Sequence, residues 1–278
     1  MKRVTTNTIK QAKSSRKIAA VTAYDFTMST LVSESGIDIV LVGDSLAQCF
    51  KGEETTLGVT LEEMIYHTRQ VARGSSHSLV VADLPFMSYQ VSVEEGLRNA
   101  GRVLKETSCQ AVKLEGGNKE CVELIRRCVE AGIPVMGHLG LTPQSVNVFG
   151  GYLVQGASAE EEERIFREAI NIESAGAFSL VLECVPYQLA RNITQNLKIP
   201  TIGIGAGPYC DGQILVINDL LGLSAWKKKP RFVKTFADLR SEIRKALELY
   251  KQEICDGSYP DLSQSYKGGS EVENDKPA

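Results

Sequence analysis

Short runs of apolar residues recur along the chain, and each run ends in a polar residue or a glycine. Within a run the apolar residues are nearly continuous rather than alternating, which is typical of strands buried on both faces of a parallel sheet. A further run at 213–217 fits either a strand or the start of a helix. The seven clear strands are predicted at 17–25, 38–45, 78–86, 111–117, 134–140, 179–185 and 200–207.

The segments between these runs carry apolar residues at the three- and four-residue spacing of an amphipathic helix. Ser158 followed by Glu161 is a capping-box pattern that predicts a helix start, and Gly176 predicts its end. Thr235 is expected to open a late helix. The helices that bear on the fold are predicted at 6–13, 61–73, 93–107, 119–131, 158–175 and 235–254.

Strands and helices therefore alternate, with seven or eight strands. This order predicts an α/β protein, and a (β/α)8 TIM barrel with an outer ring of helices fits it best. A doubly wound open sheet is the alternative. Because no linker rich in Pro, Gly or Ser interrupts the alternation, residues 1–255 are expected to form one barrel domain with an N-terminal helix. Residues 256–278 are polar and are expected to be a disordered tail.

Composition narrows the classes of partner. The formal net charge of −3 over 278 residues argues against a nucleic-acid binder. No apolar run has the length of a membrane span, and seven cysteines without a C-x-x-C pair favour a reducing compartment. A cytoplasmic enzyme acting on small molecules is expected. Six basic residues and no acid in 1–24 faintly resemble an organellar transit peptide, but the core strand at 18–23 favours the cytoplasm.

Polar residues end several predicted strands, and the carboxyl ends of barrel strands meet at one mouth, where barrel enzymes place their active sites. Any one of these residues is commonly a helix cap or a structural ion pair. Asp44, Asp83, Glu115 and Glu183, together with a lysine and a histidine on neighbouring strands, however, indicate a site. The strand-end residues are Asp25, Asp44, Ser45, Asp83, Lys113, Glu115, His138 and Glu183.

The chemistry of this set suggests roles. Carboxylates without a Cys/His cluster favour Mg²⁺, and Asp44, Asp83 and Glu115 are the candidate ligands for a metal that polarises a carbonyl and stabilises an enolate. Lys113 shares a strand face with Glu115 and is expected to hold a substrate carboxylate. Glu183, four strands after Asp44, is the candidate base.

Two features of the sequence each allow two interpretations. His138 is expected either to support substrate binding and proton transfer or to be a packed neutral histidine. The long, mostly uncharged segment 139–156 is either a lid over the substrate or an oligomer contact.

Several motifs resemble one family, the ketopantoate hydroxymethyltransferases. The most specific is GHLGLTPQSVNVFGGYLVQG at 137–156, which barrel architecture alone does not explain. The others include VTAYD (21–25), LVGDSL (41–46), VVADLPFMSY (80–89), VKLEGG (112–117), LVLECVP (180–186) and IGIGAGPYCDGQILVINDLLG (202–222).

The resemblance implies a Mg²⁺-dependent (β/α)8 barrel that transfers a one-carbon unit from methylene-tetrahydrofolate to α-ketoisovalerate, in the first step of pantothenate synthesis. It implies that Asp44, Asp83 and Glu115 are metal residues, and that Asp44 and Asp83 also face the substrate. Ser45, through its backbone N–H, and Lys113 would bind the keto acid. By the same resemblance Glu183 is the proton acceptor, and the protein is a homo-oligomer, often a decamer.

Two other functions are alternatives that fit the same sequence. One is another Mg²⁺-dependent barrel that cleaves carbon–carbon bonds of keto acids, with the same carboxylates but no folate. The other is a degenerate barrel that only binds a ligand, against which the intact Asp44, Asp83, Glu115 and Glu183 count.

Overall fold

A computed structural model describes residues 2–224, 226 and 229–266. Its eight strands are all parallel and pair in chain order, and the last strand pairs with the first, so the sheet closes into a barrel. The predicted (β/α)8 barrel is confirmed, and the open sheet is excluded. The strands are β1 (Ile18–Thr22), β2 (Ile39–Val42), β3 (Leu79–Asp83), β4 (Ala111–Glu115), β5 (Val135–Gly140), β6 (Ser179–Glu183), β7 (Thr201–Ile204) and β8 (Gly212–Leu215).

Helices surround the barrel, and one further helix precedes the first strand. A π-helical turn (Ala47–Lys51) follows β2, and 3-10 turns lie at Pro143–Ser145 and Leu262–Gln264. The helices are α1 (Thr6–Ala12), α2 (Phe26–Glu34), α3 (Leu61–Gly74), α4 (Val93–Thr107), α5 (Lys119–Glu130), α6 (Val146–Phe149), α7 (Ala159–Ser174), α8 (Tyr187–Asn196), α9 (Ile217–Leu220) and α10 (Leu239–Asp256).

Local signals explain where these elements begin and end. The ambiguous run at 213–217 is divided, since β8 ends at Leu215 and α9 begins at Ile217. The capping box of Ser158 and Glu161 opens α7 as predicted. The predicted start of α10 at Thr235 is wrong. This helix begins after Asp238, whose carboxylate accepts the backbone N–H of Ser241 and caps the first turn.

The last helix differs from the others in its packing. None of the eighteen residues of α10, all of which the structure describes, is buried. Its apolar residues are largely exposed, among them Ile243, Leu247, Tyr250 and Ile254. The apolar stripe that the sequence predicts is therefore present on α10, but it does not pack against the core of this chain.

Two apolar layers hold the barrel together. The outward faces of the strands pack against the helices, while inward residues such as Ile39, Val81 and Met136 fill the interior. Helix α1 closes the lower end of the barrel, because Ile9 and Ala12 belong to the interior cluster. Apolar side chains therefore fill the lower part of the barrel interior.

Only part of the predicted tail can be compared with the structure. Residues 256–266 are described, and the remainder of the predicted tail, 267–278, lies outside the described residues. Across the residues that the structure describes, no helix has the length and apolar character to cross a membrane.

Candidate active site

The register of the strands brings the candidate side chains together inside the barrel, on two successive levels. Asp83 pairs with Lys113, and Glu115 pairs with His138. Residues directly opposite each other on neighbouring strands face the same side, and residues two apart on one strand do too, so all four point inward. Glu183 ends β6, the strand after the one that carries His138. Five of the predicted residues are thus brought together.

Lys113 is the buried cation of this cluster. Its Nζ lies 3.1 Å from Asp83 Oδ1, 3.5 Å from Glu115 Oε1 and 3.1 Å from His138 Nδ1. Burial lowers the pKa of Lys113, but Asp83, Glu115 and Asp44 raise it more, so the amine stays charged. One ammonium therefore offsets part of the charge of three carboxylates.

The carboxylates respond differently to the same burial. The pKa of Asp44 is raised well above its usual range by burial and by the neighbouring Glu115 and Asp83. Burial also raises the pKa of Asp83, although Lys113 opposes it. Glu115 ends with a lowered pKa, because Lys113, His138 and the backbone N–H of Gln144 outweigh its burial. A cation bound beside Asp44 and Asp83 would favour their ionised forms, because burial and neighbouring carboxylates raise the pKa of both.

His138 connects the cluster to Glu183. Its Nε2 lies 3.3 Å from Glu183 Oε2, although not in the orientation of a hydrogen bond. Burial and Lys113 lower the pKa of His138, but Glu115 and Glu183 raise it to about 9. The histidine is therefore in contact with three charged groups. Glu183 is the least buried of these, with 16% of its side chain exposed at the mouth.

Ser45 and Asp44 follow β2 at the same mouth. The backbone N–H of Asp44 donates to Asp83 Oδ2 at 3.1 Å, which ties two of the predicted metal residues together. The half-buried Ser45 exchanges a 2.8 Å hydrogen bond with the phenol of Tyr24, a fully buried side chain. Asp25, also at a strand end, instead caps α2 by accepting the backbone N–H of Met28.

Sequence reasoning missed Gln144 as a member of this site. It is buried in the 3-10 turn after β5, and its side-chain Nε2 donates to Asp44 Oδ2 at 3.1 Å. Its backbone N–H donates to Glu115 Oε2 at 3.1 Å. The only signal was a glutamine in the mostly uncharged segment 139–156, which also contains Gln155, and nothing in the pattern indicated that Gln144 turns inward.

That same segment also lies over the mouth. Tyr152 receives a 3.2 Å hydrogen bond from Gln48 Nε2, so the loop after β5 is fastened to the π-helical turn after β2. Burial raises the pKa of the Tyr152 phenol, and the carboxylates of Asp44, Glu183 and Glu115 add to this. Tyr152 is therefore near the charged cluster.

Gly140 packs closely against the end of the strand that carries Glu183. It ends β5 with φ +93°, and a Cβ there would lie 2.2 Å from the carbonyl oxygen of Glu183 and 2.6 Å from a methyl of Val185. Only glycine combines this backbone conformation with so close an approach.

The donor set fits a hard divalent cation. One oxygen of each carboxylate is held by an N–H donor, namely Asp44 Oδ2, Asp83 Oδ2 and Glu115 Oε2. The other oxygens of Asp83 and Glu115 receive no well-oriented hydrogen bond from the described part of the chain. Within residues 2–224, 226 and 229–266, no three acidic, histidine or cysteine side chains form a preassembled metal cluster. Mg²⁺ commonly binds through only one or two carboxylates plus waters and substrate oxygens, so this arrangement is compatible with it.

The sequence comparisons with known proteins agree on one family, and the structure comparison shows a shared fold. Residues 3–262 match the family profile described as ketopantoate hydroxymethyltransferase. A 3-methyl-2-oxobutanoate hydroxymethyltransferase of Syntrophus aciditrophicus (strain SB) is 53% identical over 266 residues, which are 95% of this chain and 97% of that protein. One from Clostridium botulinum (strain Alaska E43 / Type E3) is 52% identical and covers 91% of each. Among solved structures, a phosphonopyruvate hydrolase complex with oxalate and Mg²⁺ has a TM-score of 0.61 at 11% identity, covering 97% of this chain and 93% of that one, which shows a shared fold.

Proposed function

The chain belongs to the ketopantoate hydroxymethyltransferase family, and from that premise we propose that it transfers a hydroxymethyl group from methylene-tetrahydrofolate to α-ketoisovalerate, giving ketopantoate. The observation that carries the proposal is the cluster at the barrel mouth. Buried Asp44, Asp83, Lys113 and Glu115 lie together there, and the partly exposed Glu183 reaches the same mouth through His138. These are the positions that the family resemblance implies.

Asp44, Asp83 and Glu115 would hold Mg²⁺. Asp83 and Glu115 each keep an oxygen free of hydrogen bonds among the described residues, and both of these oxygens lie within 3.5 Å of Lys113 Nζ. When bound, the cation supplies the positive charge that stabilises an enolate of the keto acid.

Lys113 and Ser45 would bind the keto acid. Lys113 is a fixed ammonium at the centre of the cluster and can attract a substrate carboxylate without forming a covalent bond. Ser45 is held by Tyr24 and would present its backbone N–H to the same substrate. Borohydride trapping of a substrate adduct on Lys113 would contradict this electrostatic role.

Glu183 would act as the base. Its carboxylate accepts the proton from the carbon beside the substrate carbonyl, and His138 Nε2 lies 3.3 Å from it. The resulting nucleophilic carbon forms a bond to the methylene carbon while one of the two C–N bonds to the folate breaks. Water replaces the second C–N bond and supplies the hydroxyl group. Tetrahydrofolate leaves with its two nitrogens protonated, by the substrate proton and by one proton of water.

A cytoplasmic homo-oligomer, decameric as the resemblance implies, completes the proposal. Support comes from α10, whose Ile243, Leu247 and Tyr250 expose an apolar stripe that a second copy of the chain can cover. Light scattering coupled to size-exclusion chromatography should give a mass well above 30.3 kDa. A monomer at micromolar concentration would refute this part alone.

The direct test incubates purified protein with α-ketoisovalerate, methylene-tetrahydrofolate and Mg²⁺, and detects ketopantoate by mass spectrometry. Product should form in the full mixture and fall when Mg²⁺ is replaced by a chelator or folate is omitted. Absence of ketopantoate under all conditions would refute the proposed activity. Product formed without folate would instead point to another reaction.

A further inference from the structure

Gln144 ties carboxylates of two different strand ends to one rigid turn, and we propose that it is a positioning residue for the divalent-cation site. This inference rests on the proposed function, since it concerns how Asp44 and Glu115 are presented to the cation. Gln144 touches neither substrate nor reacting atoms in this scheme and acts through the carboxylates that it holds.

The side-chain amide has its full set of partners. Its Nε2 donates to Asp44 Oδ2 at 3.1 Å and to the carbonyl oxygen of Leu84 at 3.0 Å. Its Oε1 accepts from the phenol of Tyr89 at 2.9 Å and from Gln90 Nε2 at 3.0 Å. A carboxylate and a carbonyl can only accept, so the amide nitrogen must face them. The orientation of Gln144 is therefore fixed by its surroundings.

The backbone of the same residue holds the second carboxylate. The N–H of Gln144 donates to Glu115 Oε2 at 3.1 Å. Glu115 Oε1 receives no hydrogen bond from the described part of the chain but lies 3.5 Å from Lys113 Nζ and 3.4 Å from His138 Nδ1. Pro143 begins the 3-10 turn that carries Gln144, and proline fixes the backbone there. One short turn thus fixes the orientation of the Glu115 carboxylate, with Oε2 on the turn and Oε1 facing Lys113 and His138.

Tyr89 braces this arrangement from the loop after β3. Its phenol oxygen accepts the backbone N–H of Glu115 at 3.1 Å and lies 2.9 Å from Gln144 Oε1. Three loops, those after β2, β3 and β5, and the end of β4 are therefore joined through two buried side chains. Without them Asp44 could rotate, and groups that orient metal ligands in this way are commonly worth about 10–100-fold in metal affinity.

The test compares Gln144→Met with Gln155→Met. Gln155 lies in the same loop and is buried to the same degree, but its side chain donates only to the backbone of Leu153. Isothermal titration of the metal-free proteins with MgCl₂ should show about 10–100-fold weaker binding for Gln144→Met and wild-type affinity for Gln155→Met. Thermal unfolding is measured in parallel, because loss of packing alone would lower the melting temperature of both variants without lowering Mg²⁺ affinity.

Tyr89→Phe provides a second variant in case Gln144→Met does not fold. Gln90 still donates to Gln144 in this protein, so a smaller loss of about 3–10-fold in Mg²⁺ affinity is expected. Wild-type affinity in either folded variant overturns the role of Gln144 while leaving ketopantoate formation by the wild type untouched. A wild-type protein that neither binds Mg²⁺ nor makes ketopantoate overturns both proposals.

Discussion

Replacing Lys113 by methionine removes the charge at the centre of the cluster while keeping a chain of similar length. The ammonium is almost inaccessible and lies within 3.5 Å of Asp83, Glu115 and His138. Methionine fills similar space, so the substitution tests the charge rather than the packing.

The expected cost follows from burial. Removing one partner of a buried ion pair costs about 3–5 kcal/mol, because the remaining charges stay desolvated without compensation. For a domain of this size each kcal/mol corresponds to about 2–4 °C, so the melting temperature of the metal-free protein should fall by about 6–20 °C. Urea unfolding followed by circular dichroism gives the free energy of unfolding.

The loss of stability caused by Lys113→Met should also depend on pH. Burial holds the pKa of Asp44 and Asp83 above the usual range even with Lys113 present, and without Lys113 both should rise further. A folded-state pKa above the unfolded value contributes stability that is present at low pH and lost as pH rises. Lys113→Met should therefore be less destabilising at about pH 5 than at about pH 8.

Lys51→Met is the matched control. Lys51 also contacts two carboxylates, Glu53 at 2.9 Å and Glu63 at 3.1 Å, but on the surface, where solvent screens the charges. Lys51→Met should therefore change the free energy of unfolding little. A loss for Lys113→Met no greater than that of Lys51→Met, or one that is the same at both pH values, would refute the charge-balance argument.

Three further predictions test other parts of the structure. Gly140→Ala should lower both stability and turnover more than Gly132→Ala, because both have positive φ but only the first would press on Glu183; equal effects in unfolding and activity assays would contradict this. Ile9→Ala should cost about 2–5 kcal/mol in urea unfolding, since Ile9 closes the barrel floor, with kcat unchanged; a changed kcat in the folded variant would show coupling to the site. With its pKa raised to about 9, His138 should contribute stability that is present below about pH 6.5 and lost as pH rises through about 9. Comparing the pH dependence of unfolding of metal-free wild type and His138→Asn measures this, and parallel curves would contradict it.

The sequence was sufficient to predict the barrel because burial on both faces leaves a strong local pattern. Continuous apolar runs at β2 and β3 and capping residues such as Ser158 and Glu161 act within a few residues of the chain. The same register logic placed Asp83, Lys113, Glu115, His138 and Glu183 on one inner surface, since strand order and alternation fix where side chains point.

Longer-range contacts were not predictable in this way. Gln144 and Asp44 are 100 residues apart, and their hydrogen bond depends on how the loop after β5 folds back over β2. The start of α10 was misplaced for a related reason, because Thr235 and Asp238 are both acceptable caps by residue type and only the structure selects Asp238. Local propensity defines the elements, and tertiary geometry decides between equivalent local choices.

Exchange of the substrate C–H proton tests the central claim most directly, because it isolates the step assigned to Glu183. Purified protein and α-ketoisovalerate in D₂O with Mg²⁺, and without folate, can be followed by proton NMR. The wild-type protein should exchange the proton on the carbon next to the carbonyl for deuterium. Glu183→Gln should slow this exchange by about 10²-fold or more and still bind the keto acid. Equal exchange rates in the two proteins would contradict the assignment of Glu183 as the base.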